Sequence, residues 1–167
     1  MNKQLTIAPS EFKELANIEY FDFEEDFIEE GMRCIPMVVR FKLDMAGIKL
    51  KLVEWSKFNA KEKIELAQMH CEKPGEVKLY HEFVRRLIQL HTGREATLLP
   101  IDQSPAWADT KRIPEELQLK AKELNKKITL DQWQSLTVLQ RFELLKLCRP
   151  GHENKNFPIA FKEFNLL

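Results

Sequence analysis

Cys34 is the residue of this sequence whose position best suits reactive chemistry. It follows Arg33 and precedes an expected helix start, where a positive charge and the helix dipole can lower the pKa of a thiol. Nucleophilic catalysis would also need a base such as a histidine, and only the fold can bring one close. A small buried cysteine is the simpler interpretation of this position.

A second group of reactive residues lies near the end of the sequence. Cys148 and His152 frame the segment Cys-Arg-Pro-Gly-His, and thiolates and imidazoles are ligands that zinc prefers. The proline-glycine pair between them breaks any shared helix face, and the spacing matches no strong zinc motif. The residues therefore leave open a small metal- or redox-active protein that uses Cys34, Cys148 and His152.

Polar residues gather at two further places, and each group could build a binding surface. The first group lies at an expected helix start and the second follows an expected helix end; free backbone groups at helix ends bind polar ligands, and helix starts favour anions. The members are Arg33, Arg40, Lys42 and Asp44 in the first group, and Arg149, His152, Asn154 and Asn156 in the second. Ordinary helix capping and salt bridges explain the same residues equally well.

The composition of the chain argues against some classes of binding partner. The 167 residues include 26 Lys and Arg and 26 Asp and Glu, so the net charge is zero. A neutral chain argues against nucleic acid or a membrane surface as the main partner. The same argument disfavours DNA binding by the short helices around Trp133.

Known signatures of enzymes are absent from the sequence. It contains no glycine-rich phosphate loop, no zinc-protease motif and no serine-hydrolase motif. We therefore identify no catalytic residue and expect neither a cofactor nor a bound metal. Without a signal peptide or an apolar span, and with three widely spaced cysteines, the chain is expected to be cytoplasmic with reduced thiols.

The pattern of apolar residues predicts an all-α chain. Apolar residues recur with the 3.6-residue period of a helix, and no strand alternation competes with it. Pro36 and Pro114 stand at the expected first helical positions, which tolerate a missing N–H. The predicted helices cover 36–46, 52–58, 60–70, 76–91, 114–124, 130–136, 138–148 and 158–164.

A repeat with an offset of 78 residues organises these helices. Pro36 matches Pro114, and Trp55 matches Trp133. Further matches are Lys42 with Lys120, Lys63 with Arg141, and the capping boxes Asn59–Glu62 and Thr137–Gln140. We therefore expect two similar helical units, joined by the longer helix over 76–91 and a proline-containing connection over 93–112. Trp107 should pin that connection to the core.

The N-terminal part of the sequence is strongly acidic. Up to Gly31 it holds nine acidic residues and two lysines, a net charge of −7. Tyr20, Phe21, Phe23 and Phe27 interrupt the acidic stretch, which a solvated tail would not need. This segment is either a first helix or strand with a solvated acidic face, or an acidic aromatic arm that docks on the body or on a partner.

Six short motifs stand in a fixed order along the chain. They are Phe23-Glu24-Glu25-Asp26-Phe27, Arg33-Cys34-Ile35-Pro36-Met37, Arg40-Phe41-Lys42-Leu43-Asp44, Pro105-Ala106-Trp107-Ala108-Asp109, Leu139-Gln140-Arg141-Phe142 and Arg149-Pro150-Gly151-His152-Glu153-Asn154. Together they resemble the family of conserved nitrate reductase-associated proteins. We therefore expect a variable extension over 1–20 and a single helical nitrate reductase-associated domain over 21–167.

The resemblance implies a role beside an enzyme. Members of this family are bacterial, are typically encoded near genes for assimilatory nitrate reductase and its molybdenum cofactor, and have no assigned catalytic residues. The implied function is a non-enzymatic accessory protein that assists the assembly, maturation or stability of that reductase through protein–protein contact. The expected partners are the reductase or its cofactor-maturation proteins, and the two polar groups are the expected contact surface.

Overall fold

A computed structural model describes residues 12–15, 18–26, 34–150 and 152–167. These residues fall into two compact units, the first ending at Ile101 and the second beginning at Asp102. Helices dominate both units, which confirms the predicted all-α class. That residues 21–167 form a single domain, and that two similar units recur, stay predictions.

In its described residues, the first unit contains α-helices and a short antiparallel ribbon. In order, its elements are a 3-10 helix Asp22–Asp26, α1 Met37–Ala46, β1 Ile48–Lys49, α2 Leu52–Trp55, α3 Ala60–Gln68, α4 Pro74–Thr92 and β2 Thr97–Leu98. β1 pairs with β2, and Ile48 lies opposite Leu98. The ribbon was not predicted, because strands of two residues are too short to show alternation.

Among the residues that the structure describes, the regular elements of the second unit are all helices. Its elements are a 3-10 helix Ala106–Ala108, α5 Glu115–Glu123, α6 Leu130–Ser135, α7 Val138–Cys148, a 3-10 helix His152–Asn156 and α8 Phe157–Glu163. α7 packs against α5 and α8. The predicted bounds of α7 are confirmed, and those of the other helices differ by a few residues at their ends.

The two prolines expected at first helical positions lie one residue earlier. Pro36 and Pro114 are the N-cap residues of α1 and α5, with extended ψ angles of 153° and 136°. An N-cap residue needs a non-helical ψ, and the fixed φ of proline is compatible with one. The prediction of position N1 was therefore wrong for both.

A buried tryptophan lies in the core of each unit. Trp55 contacts Phe58 in the first unit, and Trp133 donates its indole N–H to the carbonyl oxygen of Asp109 in the second, at 2.8 Å. Neither tryptophan is exposed to solvent. Their prediction as core anchors is confirmed.

Buried cations lie over the faces of both tryptophans. Lys63 Nζ lies 5.1 Å from the ring centroid of Trp55, and the guanidinium carbon of Arg141 lies 5.8 Å from that of Trp133. A cation in this position is attracted by the negative face of the ring. The matched pair Lys63 and Arg141 therefore makes the same kind of contact in each unit.

The turns after α1 and α5 contain residues with a positive φ at the same offset. Gly47 has φ +72°, and Asn125 has φ +58°. A Cβ atom at Gly47 would lie 2.8 Å from Cγ1 of Ile101, so this position needs glycine for space as well as for conformation. Asparagine adopts the left-handed region more readily than most residues, which suits it to the second position.

The connection between the predicted units is attached to α7 through Trp107. The carbonyl oxygen of Trp107 accepts a hydrogen bond from Arg141 Nε at 2.8 Å. The Trp107 ring also contacts Phe142 edge-on, with centroids 6.4 Å apart. The prediction that Trp107 pins the connection is confirmed.

The acidic aromatic segment is packed against the start of α1. Phe21 and Phe23 are buried, and Glu24 is fully buried beside them. The Glu24 carboxylate accepts hydrogen bonds from the backbone N–H of Met37, at 2.8 Å, and of Phe21, at 3.0 Å. The docked interpretation is therefore correct for these residues, whereas Phe27 lies outside the described part of the chain.

No helix in the described ranges combines the length and apolar character needed to cross a membrane.

Candidate functional site

Lys42 of the first polar group holds the end of a neighbouring helix. Its ammonium group donates to the carbonyl oxygens of Ala67, at 2.5 Å, and Met69, at 2.6 Å. These carbonyls lie at the C-terminal end of α3, where backbone acceptors lack helical partners and the helix dipole favours a cation. Burial lowers the pKa of Lys42. The side chain therefore fastens α1 to α3.

The other members of the first group have different positions. Arg40 is half-buried and donates from Nε to the carbonyl oxygen of Ile35 at 2.9 Å. Asp44 is half-buried on α1. Arg33 lies outside the described residues, so its predicted contact role stays a prediction.

Asn154 of the second polar group also holds a helix end. Its amide nitrogen donates to the carbonyl oxygen of Leu147 at 3.0 Å and lies within 3.5 Å of those of Cys148 and Arg149. Its amide oxygen accepts from Lys120 Nζ at 2.9 Å. Asn154 therefore joins α5 to the end of α7.

The two lysines matched by the repeat perform related tasks. Lys42 reaches the end of α3 directly, whereas Lys120 reaches the end of α7 through Asn154. The accepting residues Met69 and Leu147 are themselves 78 positions apart. Helix-end capping, one of the two open interpretations, therefore accounts for Lys42 and Asn154.

The remaining members of the second group divide by exposure. Arg149 is exposed at the end of α7, and Asn156 is buried. The side chain of His152 lies outside what the structure describes. The first polar group belongs to the first unit and the second polar group to the second unit, and each group is a candidate surface.

Replacing Asn154 by alanine should destabilise the second unit. The change removes the donor to the end of α7 and the acceptor for Lys120, at a cost of about 1–2 kcal/mol. Thermal unfolding should show a melting temperature lower by about 3–6 °C. The exposed neighbour Lys155 provides a control, since Lys155→Ala should change stability by less than about 0.5 kcal/mol. Equal stability of both variants would contradict the capping role.

Two cysteines have environments that oppose reactivity. Burial, together with the nearby carboxylate of Glu116, raises the pKa of the Cys148 thiol to about 12. Burial likewise raises the pKa of Cys71 to about 11. A thiol is nucleophilic and binds metals only as the thiolate, so a raised pKa disfavours both reactions.

The metal- or redox-active alternative finds little support in this geometry. The side chain of His152, the third residue of this alternative, lies outside what the structure describes. Within the described ranges, no group of three or more His, Cys, Asp or Glu residues is arranged to hold a metal ion. No observation therefore favours this alternative.

Alkylation should show that Cys71 and Cys148 are protected in the folded chain. At about pH 8 we expect both to react with iodoacetamide at least about tenfold more slowly than in the unfolded chain. Mass spectrometry of labelled peptides, with and without urea, measures the difference. Rapid labelling of Cys148 in the native chain would contradict its raised pKa.

The raised pKa of Cys148 also sets a direction for the dependence of stability on pH. Its pKa is raised from 9.0 to about 12 on folding, so the unfolded chain releases this proton first. The contribution to stability is complete below pH 9.0 and is lost as the pH rises towards 12. Cys148→Ala should therefore show a shallower loss of stability over this range in urea titrations.

Buried charged residues are the feature that sequence reasoning missed. Glu24 and Glu143 are both fully buried. Glu143 lies on α7 among buried leucines, where its charge made it look like a surface residue. The signal for Glu24 was the run of aromatic residues around it, because aromatic side chains draw their neighbours into the core.

Comparison with known proteins identifies the family to which this chain belongs. The sequence profile of the conserved nitrate reductase-associated proteins matches residues 20–164. The chain belongs to this family. No curated protein and no solved structure matches it. The matched range includes Glu24, Lys42, Lys120 and Asn154, so the helix-end contacts described above lie inside the nitrate reductase-associated region.

A cleft of about 400 Å³ lies beside one motif of this nitrate reductase-associated protein. It is lined by Ser104, Pro105, Ala106, Ala108, Asp109, Arg112 and Pro114. Asp109 and Arg112 are exposed and supply one carboxylate and one guanidinium. The Asp109 carboxylate accepts the backbone N–H of Lys111 at 2.9 Å, which fixes the loop. These groups can bind a charged ligand, and the lining contains no histidine or cysteine for nucleophilic chemistry.

Proposed function

We propose that this chain is a non-enzymatic accessory protein of assimilatory nitrate reductase. It would assist the assembly, maturation or stability of that enzyme through direct protein contact, in the cytoplasm. The observation that carries the proposal is the family match over residues 20–164, because the name of the family associates it with nitrate reductase. The reductase or a protein that matures its cofactors is the proposed partner.

The structure supports contact rather than catalysis as the means. Two of the polar side chains, those of Lys42 and Asn154, are occupied by hydrogen bonds to helix ends. Two thiols are kept protonated by burial. Among the described members of the two polar groups, Arg149 is exposed, and an exposed charged side chain suits recognition.

The proposed contact surface retains the two polar groups of the sequence. Its members are Arg33, Arg40, Lys42, Asp44, Arg149, His152, Asn154 and Asn156. Arg149 is exposed. Removing its side chain leaves intact the hydrogen bond by which Asn154 caps the end of α7. Arg149 is therefore the best residue with which to test contact separately from folding.

A binding experiment with purified proteins tests the proposal. The tagged full chain is incubated with the reductase from nitrate-grown cells, and complex formation is measured by biolayer interferometry. We expect saturable binding, and higher or longer-lived nitrate reductase activity when the chain is present. Neither binding nor a change in activity, with the reductase and with its cofactor-maturation proteins, would contradict the proposal.

Arg149→Ala separates the contact surface from the fold. We expect it to weaken binding about tenfold, as expected for a charged contact at an interface, with an unchanged melting temperature. Arg86→Ala is the matched control, because Arg86 is an exposed arginine outside both the proposed surface and the cleft. Equal binding by both variants would remove Arg149 from the surface.

A further inference from the structure

One exposed part of the first unit is rich in lysine. Lys49, Lys51, Lys57 and Lys61 are all exposed, and they lie on β1, α2, the following turn and the start of α3. The only acidic residue between Lys49 and Lys61 is Glu54. Its side chain is turned inward, because Glu54 is buried and its carboxylate accepts the backbone N–H of Lys51 at 2.8 Å. The charged side chains that are exposed in this stretch are therefore all positive.

Two apolar side chains are exposed among these lysines. Leu52 is 55% exposed and Val53 is 60% exposed, both at the start of α2. Lys57 follows two residues after the end of this helix. We call Lys49, Lys51, Leu52, Val53, Lys57 and Lys61 the lysine surface.

The second unit shows that the fold does not require this charge. Positions 78 residues later form the same arrangement of a short helix and a capped helix, with Gln132 in place of Glu54. The residues that match Lys51, Val53, Lys57 and Lys61 are Thr129, Asp131, Ser135 and Leu139. Only Lys49 is matched by another lysine, Lys127.

Lys51 occupies a position where a different residue would stabilise the helix. It is the N-cap of α2, and its side chain has no acceptor for the free backbone N–H groups. Thr129, at the matching position of α6, accepts the backbone N–H of Gln132 at 3.1 Å. Threonine is a preferred N-cap and lysine is not. A lysine at this position adds positive charge to the surface but stabilises the helix less than threonine would. Residues used for binding often show this trade-off between function and stability.

We infer that the lysine surface is a docking site for an acidic protein segment that carries apolar side chains. Carboxylates of such a segment would pair with the four lysines, and its apolar residues would cover Leu52 and Val53. A partner protein fits better than a membrane, because two apolar residues on a four-residue helix give little area to insert. The inference goes beyond the proposed function, because it names a ligand chemistry independent of the reductase.

A peptide probe tests the docking site on the full chain. The probe is a fluorescein-labelled peptide of about twelve residues in which Glu and Asp alternate with Leu and Phe. Fluorescence anisotropy should show saturable binding that weakens at least about tenfold between low and high salt. A peptide with Gln and Asn replacing the acids, and one with Ala replacing Leu and Phe, should each bind at least about tenfold more weakly. Equal binding of all three peptides would overturn the inference.

A variant in which residues of the lysine surface are replaced by the matching residues of the second unit tests which side chains bind the peptide. Lys51→Thr, Val53→Asp and Lys57→Ser together should weaken binding of the acidic peptide by about tenfold or more, while Lys51→Thr alone should raise the melting temperature. The control carries the same changes elsewhere on exposed positions, namely Lys78→Ser, Leu90→Asp and Lys122→Thr. It should bind within about twofold of the unchanged chain.

Two outcomes would overturn the docking site. One is equal binding of the peptide by the control variant and by the variant that combines Lys51→Thr, Val53→Asp and Lys57→Ser. The other is binding of the unchanged chain to vesicles of phosphatidylcholine and phosphatidylglycerol without any binding of the peptide, which would assign the surface to a membrane. Because neither measurement uses the reductase, both results are separate from the outcome for the proposed function.

Discussion

Replacing Trp133 by alanine should lower the free energy of unfolding by about 3–5 kcal/mol. Trp133 is fully buried, and its removal leaves a cavity that the surrounding side chains fill only in part. The carbonyl oxygen of Asp109 also loses the indole N–H, and Arg141 loses the ring beneath its guanidinium. Urea unfolding followed by circular dichroism measures the loss.

Two further variants make this expectation specific. Trp133→Phe keeps most of the apolar volume and removes the indole N–H, so it should cost less than the alanine variant. Trp55→Ala, the matched change in the first unit, should cost a similar amount to Trp133→Ala because Trp55 is equally buried. A loss below about 1 kcal/mol for Trp133→Ala would contradict its place in the core.

Replacing Glu24 by alanine should cost about 2–4 kcal/mol. The carboxylate accepts two backbone N–H groups, those of Phe21 and Met37, and alanine would leave both without this acceptor in a buried environment. Met37 is the first residue of α1, so the start of that helix should fray. Hydrogen exchange at the first turn of α1 should speed up, and urea unfolding gives the energy.

Neighbouring variants distinguish the hydrogen bonds of Glu24 from its charge. Glu24→Gln keeps one acceptor oxygen and should recover part of the lost stability. Asp22→Ala removes an acid whose side chain is 74% exposed, so it should change stability by less than about 0.5 kcal/mol. The capping role of Glu24 is refuted if Glu24→Ala is no more costly than Asp22→Ala.

Features encoded close together in the sequence were predictable. The start of α7 follows from the capping box of Thr137 and Gln140, whose two hydrogen bonds are present in the structure. The box of Asn59 and Glu62 marks the start of α3 in the same way. Such signals succeed because both partners lie within one helical turn.

Contacts between distant residues could not be predicted in this way. Glu24 lies 13 positions before the N–H that it accepts, and Lys120 lies 34 positions before Asn154. The repeat identified Lys42 and Lys120 as matching residues, but it could not reveal that Asn154 stands between Lys120 and the helix end. At the position that matches Asn154 the first unit has Glu76, and Lys42 reaches the end of α3 directly.

The two helix-end contacts differ in when they can form during synthesis. Lys42 precedes the carbonyl groups that it caps, so the first unit can fasten α3 as soon as that helix has left the ribosome. Asn154 follows the end of α7 along the chain, so the second unit can fasten α7 only after residue 154 has also left the ribosome. Because chains fold from the N-terminus as they are made, the first unit, which carries the lysine surface, is complete before the second.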